Sequence, residues 1–329
     1  MAQRVLVTMT VPECGLEVLR SAGLDVDACA HSTPMPRAEL LERVRPCDGI
    51  VCTLADRIDA ELLDAAPTLK GVANFAVGTD NIDVAEATAR GIPVTNTPGV
   101  LTEATAELAW TLILATARRL IEGDRLVRSG AFTGWAPTML RGLELSGATL
   151  GIAGAGRIGT AVGLRAKAFG MRVVYFDHHP SGPLDADGAR RVELDELLRE
   201  SDVVSIHLPL TAETRHLIGA RELALMKPSA ILVNTGRGAI IDEAALVEAL
   251  RERRIAAAGL DVYEHEPALT PGLSELDNVV LLPHLGSATT ATRDRMATMA
   301  AGSLVTILAG HRPETLVNPE VFDEAGSGA

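Results

Sequence analysis

Three side chains in the last third of the chain have the types needed to move a proton on a bound anion: Arg237 in NTGRG, Glu266 in DVYEHEP and His284 in LLPHLGSAT. A guanidinium grips a carboxylate through a planar pair of hydrogen bonds. An imidazole passes a proton to or from a carbonyl oxygen near neutral pH. A carboxylate beside that imidazole favours its charged form and raises its pKa. Taken singly, Arg, Glu and His in loops are usually solvated surface groups. Each of these follows an apolar run that reads as strand, and all three lie downstream of GIAGAGRIG at 151–159, so they are read together.

Gly154, Gly156 and Gly159 give GxGxxG directly after the strand pattern TLGIA and at the start of the helical pattern RIGTAVGLRAKAF. The first glycine allows a tight turn, the second lets a pyrophosphate approach the backbone, and the third lets helix and strand pack closely. The free amides of the helix start, around Arg157 and Ile158, would face the phosphates. Alone the motif is weak, because glycine-rich turns are common. Here Asp177 stands 18 residues after Gly159, at the end of RVVYFD, where a carboxylate accepts from adenosine ribose hydroxyls. That carboxylate also repels a 2′-phosphate, and no arginine follows it directly, so NAD is favoured over NADP. His178 and His179 are read as exposed loop residues, although protonated they would offset part of the repulsion.

The elements that must hold these groups are two α/β series. RVLVT, LDVDAC, GIVCT, LKGVANF and IPVTN read as strands with amphipathic helices between them. Thr102 to about Ser129 then reads as one long, mostly apolar helix. A second series begins at Thr149, with strands ATLGIA, RVVYFD, DVVSIHL, AILVNT, AAAGLDV and VVLLP. The helix from Ser287 to Leu308 has no partner strand of its own and is expected to return to the first series. Hinges are placed near Pro98-Gly99 and Leu285-Gly286. The predicted fold class is therefore α/β, with two Rossmann-like or flavodoxin-like parallel-sheet domains. The domains are 1–98 plus 286–329, discontinuous, and 99–285, which binds the dinucleotide.

Composition excludes several classes. At 329 residues and 47% hydrophobic content there is ample core for two domains. The formal charge of −13 argues against nucleic acid, which needs a dense cationic face. No run of apolar residues is long enough for a membrane span, and the N-terminus enters a strand pattern without a secretory leader. Cys14, Cys29, Cys47 and Cys52 lack metal-ligand spacing, so they are read as free thiols in a reducing cytoplasm, with no metal site.

From VGTDNIDVAEATARGIPVTNTPG through PHLGSAT the chain resembles the D-isomer specific 2-hydroxyacid dehydrogenase family. NTPGVLTEATAELAWTLILATARR, the Gly134–Pro137 segment and PHLGSAT look most like its glyoxylate/hydroxypyruvate reductase branch. The resemblance implies a cofactor domain inserted into a substrate domain, an inter-domain cleft between them, a homodimer, NAD as cofactor and a small 2-oxo or 2-hydroxy acid as substrate. It implies that Arg237 binds the substrate carboxylate and carbonyl oxygen, that His284 is the acid in reduction and the base in oxidation, and that Glu266 supports His284. It also implies that backbone amides at Val77 and Gly78 take the remaining carboxylate oxygen, and that Asp261 holds the nicotinamide amide. Thr235, Gly236 and Gly286 would line the cofactor, with Pro209 and Thr214 near its adenosine half. Trp135 would shape the partner subunit's pocket or simply pack in the dimer.

Gly236 departs from the Ala or Ser more usual before the arginine. His265 is read as a solvated loop residue. Two alternatives remain open: a 3-phosphoglycerate dehydrogenase, for which Arg57 is the only obvious extra cation in the first series, and a non-catalytic NAD-sensing regulator of the same fold. Formate and phosphite dehydrogenases are disfavoured, because the first has glutamine where Glu266 stands and the second needs a lysine near Val77.

Overall fold

Short runs of Val, Ile, Leu and Ala that carry no charge are suited to strands covered on both faces, which is what a parallel sheet requires. In the computed structural model, which describes residues 2–323, those runs form two parallel sheets. The first has β1 (Arg4–Val7), β2 (Asp25–Ala28), β3 (Gly49–Cys52), β4 (Gly71–Asn74) and β5 (Val94–Thr95), in the order β2-β1-β3-β4-β5. The second has β6 (Thr149–Ala153), β7 (Arg172–Phe176), β8 (Arg190–Arg191), β9 (Val203–Ile206), β10 (Ile231–Asn234), β11 (Ala257–Leu260) and β12 (Val279–Leu281). Its order is β12-β11-β10-β9-β6-β7-β8. Thr102–Ser287 packs as one compact unit, and the described residues on either side of it pack as another.

Because side chains alternate across a strand, each sheet feeds two cores. In the first unit Leu6, Ile50 and Val72 join one cluster, while Val5, Val7, Val51 and Ala73 join the other. The helix Thr290–Leu308 closes that second cluster with Ala300, Ala301 and Leu304. Its fit is close: a Cβ at Gly71 would lie 2.6 Å from Ile307 Cγ2, and one at Gly15 would lie 2.9 Å from the Ala297 Cβ. In the second unit Leu150, Ile152, Ile231 and Val233 face one core, and Val204, Leu232 and Leu260 face the other. Trp110, on the helix Thr102–Ala117, stacks on Phe169 with ring centroids 4.3 Å apart and donates its indole N–H to the Val162 carbonyl at 3.0 Å.

Both sheets reverse direction beside their first strand, between β1 and β3 in the first and between β6 and β9 in the second. Strand ends at such a switch point open a crevice that ligands use. The Gly-rich turn follows β6 directly, so it lies at the second sheet's switch point.

Two features depart from the sequence reading. The expected long helix is two helices, Thr102–Ala117 and Leu120–Arg128, separated at Arg119, whose φ is +53°. The cause is the segment before β6: Leu143 N donates to the Ala117 carbonyl at 2.8 Å, so that carbonyl is no longer offered to the next helical turn. The two-residue edge strand β8, polar and exposed, gives no apolar run to read and was not foreseen.

Gly142 makes that break possible, since a Cβ there would lie 1.9 Å from the Ala117 carbonyl oxygen. Gly142→Ala is expected to lower stability by about 1–3 kcal/mol, as backbone must move to admit the methyl group. Chemical denaturation checks this, and an unchanged midpoint would show that the junction is not rigid.

Candidate active site

The chemistry-bearing residues of the second unit sit in loops at the carboxyl ends of its strands. The turn after β6 is built by three glycines that serve three different ends. Gly154 has φ of +96°, and a Cβ on it would lie 2.8 Å from the carbonyl carbon of His207, at the end of β9. A Cβ at Gly159 would lie 1.9 Å from the Gly154 carbonyl oxygen, so only glycine lets the helix Arg157–Arg165 start this close to the turn. A Cβ at Gly156 would meet no atom within 4 Å, so this side of the turn is open to a ligand. Gly156 caps the helix without a side chain, and the amides of Arg157 and Ile158 belong to its unpaired first turn.

Asp177 ties this turn together. Its Oδ2 accepts from Ala155 N at 2.7 Å and its Oδ1 from His179 N at 3.0 Å. A carboxylate has lone pairs to spare for a ribose hydroxyl beyond these two bonds. These residues therefore fit a dinucleotide: an open glycine backbone, a helix start and an acceptor at the end of the second strand. The structure adds one cation that the sequence reading missed. Arg191, on β8, donates to the carbonyls of Asp177 at 3.0 Å and His178 at 2.8 Å, so an arginine does reach this corner although none follows Asp177 directly.

Arg237 leaves β10 through a turn fixed by Asn234, whose Oδ1 accepts from Gly236 N at 2.9 Å and whose Nδ2 donates to the Arg237 carbonyl at 2.9 Å. Gly236 suits this turn, since a Cβ there would lie 3.2 Å from the Leu208 carbonyl oxygen. Next to it, Gly238 is the glycine with the least room. A Cβ at Gly238 would lie 1.8 Å from the carbonyl carbon of Tyr263, so the Arg237 loop packs backbone to backbone on the loop that carries Glu266. Buried Glu243 braces that second loop from below, accepting from Glu264 N at 2.7 Å and from Thr270 Oγ1 at 2.7 Å. Neither Gly238 nor Glu243 carries a motif of its own, and the sequence reading passed over both.

His284 sits at the end of the loop after β12 with φ of +55°, a left-handed conformation uncommon outside glycine. Asp261, buried at the end of β11, imposes it. Its carboxylate accepts from Leu285 N at 2.6 Å and Gly286 N at 2.8 Å, and its carbonyl accepts from His284 N at 2.8 Å. Burial pushes the Asp261 carboxyl above its ordinary range, against the pull of those two amides and of His284.

So held, the His284 ring places Nδ1 2.9 Å from Glu266 Oε2, while Glu266 Oε1 accepts from Tyr263 N at 3.0 Å. Burial would raise the Glu266 carboxyl, but the His284 hydrogen bond and charge, the Tyr263 amide and the Arg237 charge outweigh it and hold the group below its ordinary value. Glu266 is thus a carboxylate that accepts from the ring N–H. The other ring nitrogen, Nε2, makes no hydrogen bond among the described residues.

The remaining predicted positions are dispersed. Thr214 Oγ1 donates to the Pro209 carbonyl at 2.7 Å in an exposed turn after β9, and Thr235 is buried at the end of β10. Trp135 is 81% exposed on the loop after Leu120–Arg128. Val77 and Gly78 belong to the first unit, in the loop after β4. His265 is exposed and lies 3.8 Å from Glu264. The cysteines are free, with Cys29, Cys47 and Cys52 buried.

A dinucleotide-type turn on a doubly wound sheet, followed by an arginine and a carboxylate-paired histidine, defines a nicotinamide-dependent dehydrogenase. Residues 110–286 match the model for the NAD binding domain of D-isomer specific 2-hydroxyacid dehydrogenases. The chain is 55% identical to a glyoxylate reductase of Aeropyrum pernix, across 97% of this chain and 96% of that one. It is 51% identical to a glyoxylate reductase of Thermococcus onnurineus, across 98% of each. A solved structure, the TT0316 protein from Thermus thermophilus, superposes with a TM-score of 0.90 at 50% identity, over 96% of this chain and all of that one. The chain belongs to the D-isomer specific 2-hydroxyacid dehydrogenase family and is an NAD(H)-binding oxidoreductase of the CH–OH group. No helix among the described residues is long and apolar enough to cross a membrane.

His207, at the turn beside Gly154, bears on acid stability. Its Nε2 lies 2.8 Å from Ser205 Oγ, and although the residue as a whole keeps partial exposure, burial of the ring pushes its pKa down to about 3. Above about pH 6.5 the ring is neutral folded or unfolded and makes no difference. Below that, the unfolded chain takes up a proton that the folded ring refuses. Stability should therefore fall as pH drops from about 6.5 towards 3, by up to about 1.4 kcal/mol per pH unit from this group. The melting temperature of His207→Gln should fall less between pH 7 and 5 than that of the wild type. An identical fall would remove His207 from the acid response.

Proposed function

We propose that this enzyme reduces a small 2-oxo acid, glyoxylate or hydroxypyruvate, to the 2-hydroxy acid with NADH, and runs the reverse oxidation with NAD. The observation that carries the reading is the Glu266–His284 pair, which spends Nδ1 on a carboxylate and leaves Nε2 for a ligand. Bound NADH supplies a hydride to the substrate carbon. In reduction His284 gives a proton from Nε2 to the carbonyl oxygen, and in oxidation it takes it back. Glu266 stabilises the imidazolium and fixes the ring orientation. Arg237 takes the carboxylate and polarises the carbonyl oxygen, and the amides of Val77 and Gly78 take the second carboxylate oxygen.

Gly154, Gly156, Arg157, Ile158 and Gly159 carry the pyrophosphate, and Asp177 the adenosine ribose. Pro209 and Thr214 border the adenosine half, while Thr235, Gly236, Asp261 and Gly286 line the nicotinamide half. The names of the Aeropyrum and Thermococcus relatives support this substrate class. Arg57, the cation on which a phosphorylated substrate would depend, is 81% exposed and pairs with Asp59 at 3.0 Å, which gives that alternative no support.

A homodimer in the cytoplasm completes the reading. Leu120, Val127, Phe132 and Trp135, all more than 45% exposed, put an apolar surface on the helix Leu120–Arg128 and the loop after it. A second copy of the chain would cover it, with Trp135 either shaping the partner's pocket or packing in the interface.

His284→Gln keeps the size of the side chain but removes the titrating nitrogen, and should lower kcat by about two to four powers of ten with NADH affinity intact. Near-normal turnover of glyoxylate would take His284 out of the mechanism. On the cofactor side, NADH should be preferred over NADPH, and Asp177→Ser should shrink that preference by about tenfold or more, because one like-charge repulsion with a 2′-phosphate is lost. Steady-state kinetics with both cofactors decide it, and a wild-type preference for NADPH would overturn the assignment to Asp177.

A further inference from the structure

The loop after β4 shows an asymmetry that no sequence motif announces. All four carbonyls from Ala76 to Thr79 are engaged. Ala76 O accepts from Thr97 N at 2.8 Å and Val77 O from Asn96 Nδ2 at 2.7 Å. Gly78 O accepts from Asn74 Nδ2 at 2.8 Å and Thr79 O from Ile82 N at 2.9 Å. None of the four amides of the same residues donates a hydrogen bond among the described residues. Backbone N–H groups in folded proteins are rarely left so, and four in a row mark a place built for an acceptor from elsewhere.

Peptide geometry says which holder aims which amide. In a trans peptide the C=O of one residue and the N–H of the next point in opposite directions. Holding Ala76 O through the Thr97 amide therefore turns Val77 N–H outward. Asn96, by holding Val77 O, turns Gly78 N–H outward, and Asn74, by holding Gly78 O, does the same for Thr79 N–H.

The two carboxamides are themselves fixed. Asn74 is fully buried, donates to Asn81 Oδ1 at 3.2 Å and accepts at Oδ1 from the Cys52 thiol at 3.5 Å. Burial pushes the Cys52 pKa well up, so the thiol keeps the proton it donates. Asn81 donates to the carbonyls of Thr53 at 3.0 Å and Asp56 at 3.1 Å, and Asp56 accepts from Thr53 N at 2.7 Å and Thr8 Oγ1 at 2.5 Å. The network thus ties the loop to the ends of β1 and β3, the switch point of this sheet.

We infer that Asn96 and Asn74 are positioning residues that hold the 76–79 loop as a three-amide cradle for the substrate carboxylate, with Thr79 N–H as a third donor beside those of Val77 and Gly78. The inference rests on the proposed reading that this loop takes the carboxylate. Preset donors need no reorganisation when the anion arrives, which is where such a device gains over a flexible loop. Asn96 serves only the amide of Gly78, so its loss has a local signature that general loosening does not.

The test is a titration of the full-length enzyme with oxalate, a dianion it cannot reduce, followed through the 15N-labelled amides of Val77, Gly78 and Thr79. All three should shift in the wild type. In Asn96→Ala the Gly78 shift should shrink most while Val77 still responds, and oxalate affinity should fall about tenfold with NADH affinity unchanged. Asn96→Leu, close in shape, uncharged and without the donor, should do the same if the alanine variant folds poorly. In kinetics, the preference for glyoxylate over its uncharged methyl ester should narrow in either variant. Wild-type amides that ignore oxalate would remove the carboxylate reading of the loop. Wild-type shifts that persist with unchanged affinity in both Asn96 variants would leave that reading standing and overturn the role given to the asparagines.

Discussion

The pairing of His284 with Glu266 depends on one buried carboxylate. Asp261 spends both of its oxygens on the amides of Leu285 and Gly286 and its carbonyl on that of His284. Those three bonds hold a histidine at a φ that costs a non-glycine residue on the order of 1 kcal/mol or more. Without them the loop after β12 would relax to an ordinary conformation, and the ring would leave Glu266. Cofactor contact, which the family resemblance assigns to Asp261, is compatible with this structural duty. The duty itself comes from burial and backbone bonding, and does not require a ligand.

Around that anchor, positions are set by backbone touching backbone. Gly238 against Tyr263, Gly154 against His207 and Gly159 against Gly154 are each places where a single methyl group would collide with main chain. Such contacts transmit position more faithfully than long side chains do, because they have no rotamers to change. The electrostatics follow from this rigidity. Glu266 stays charged in a half-buried site only because His284, the Tyr263 amide and the Arg237 charge together outweigh its loss of water. Move any one loop and one of the interactions that hold the Glu266 carboxyl below its ordinary value is lost.

What was legible in the sequence was whatever leaves a local trace. Short apolar runs revealed eleven strands at the right places, and GxGxxG with a downstream aspartate revealed the turn after β6, because both patterns follow from periodicity or from a steric need at fixed spacing. The break at Arg119 was not legible, since its cause, Gly142 and Leu143 meeting Ala117, lies more than 20 residues along the chain. Arg191 was missed for a related reason: β8 is two exposed arginines long and carries no strand signal, yet it delivers a cation to the Asp177 carbonyl. The bracing of Glu243 under the 263–270 loop likewise looks, in sequence, like any acidic helix start.

A protein with a formal charge of −13 that handles small anions meets an apparent contradiction, and the two loops resolve it in different ways. Exposed charges separated by more than about 10 Å are largely screened at ordinary ionic strength, so the diffuse acidic surface sets solubility more than it opposes ligand entry. Binding is decided by donors at contact distance. The donor proposed in the second unit is a side chain, Arg237, whose turn is fixed by Asn234. Those proposed in the first unit are main-chain amides of residues 76–79, whose carbonyls are all taken up. Amides carry no net charge and cannot be neutralised by the nearby carboxylates as a lysine would be. In an acidic chain such neutral donors are less compromised by their surroundings than a lysine would be, and the asparagines that hold their carbonyls add no charge of their own.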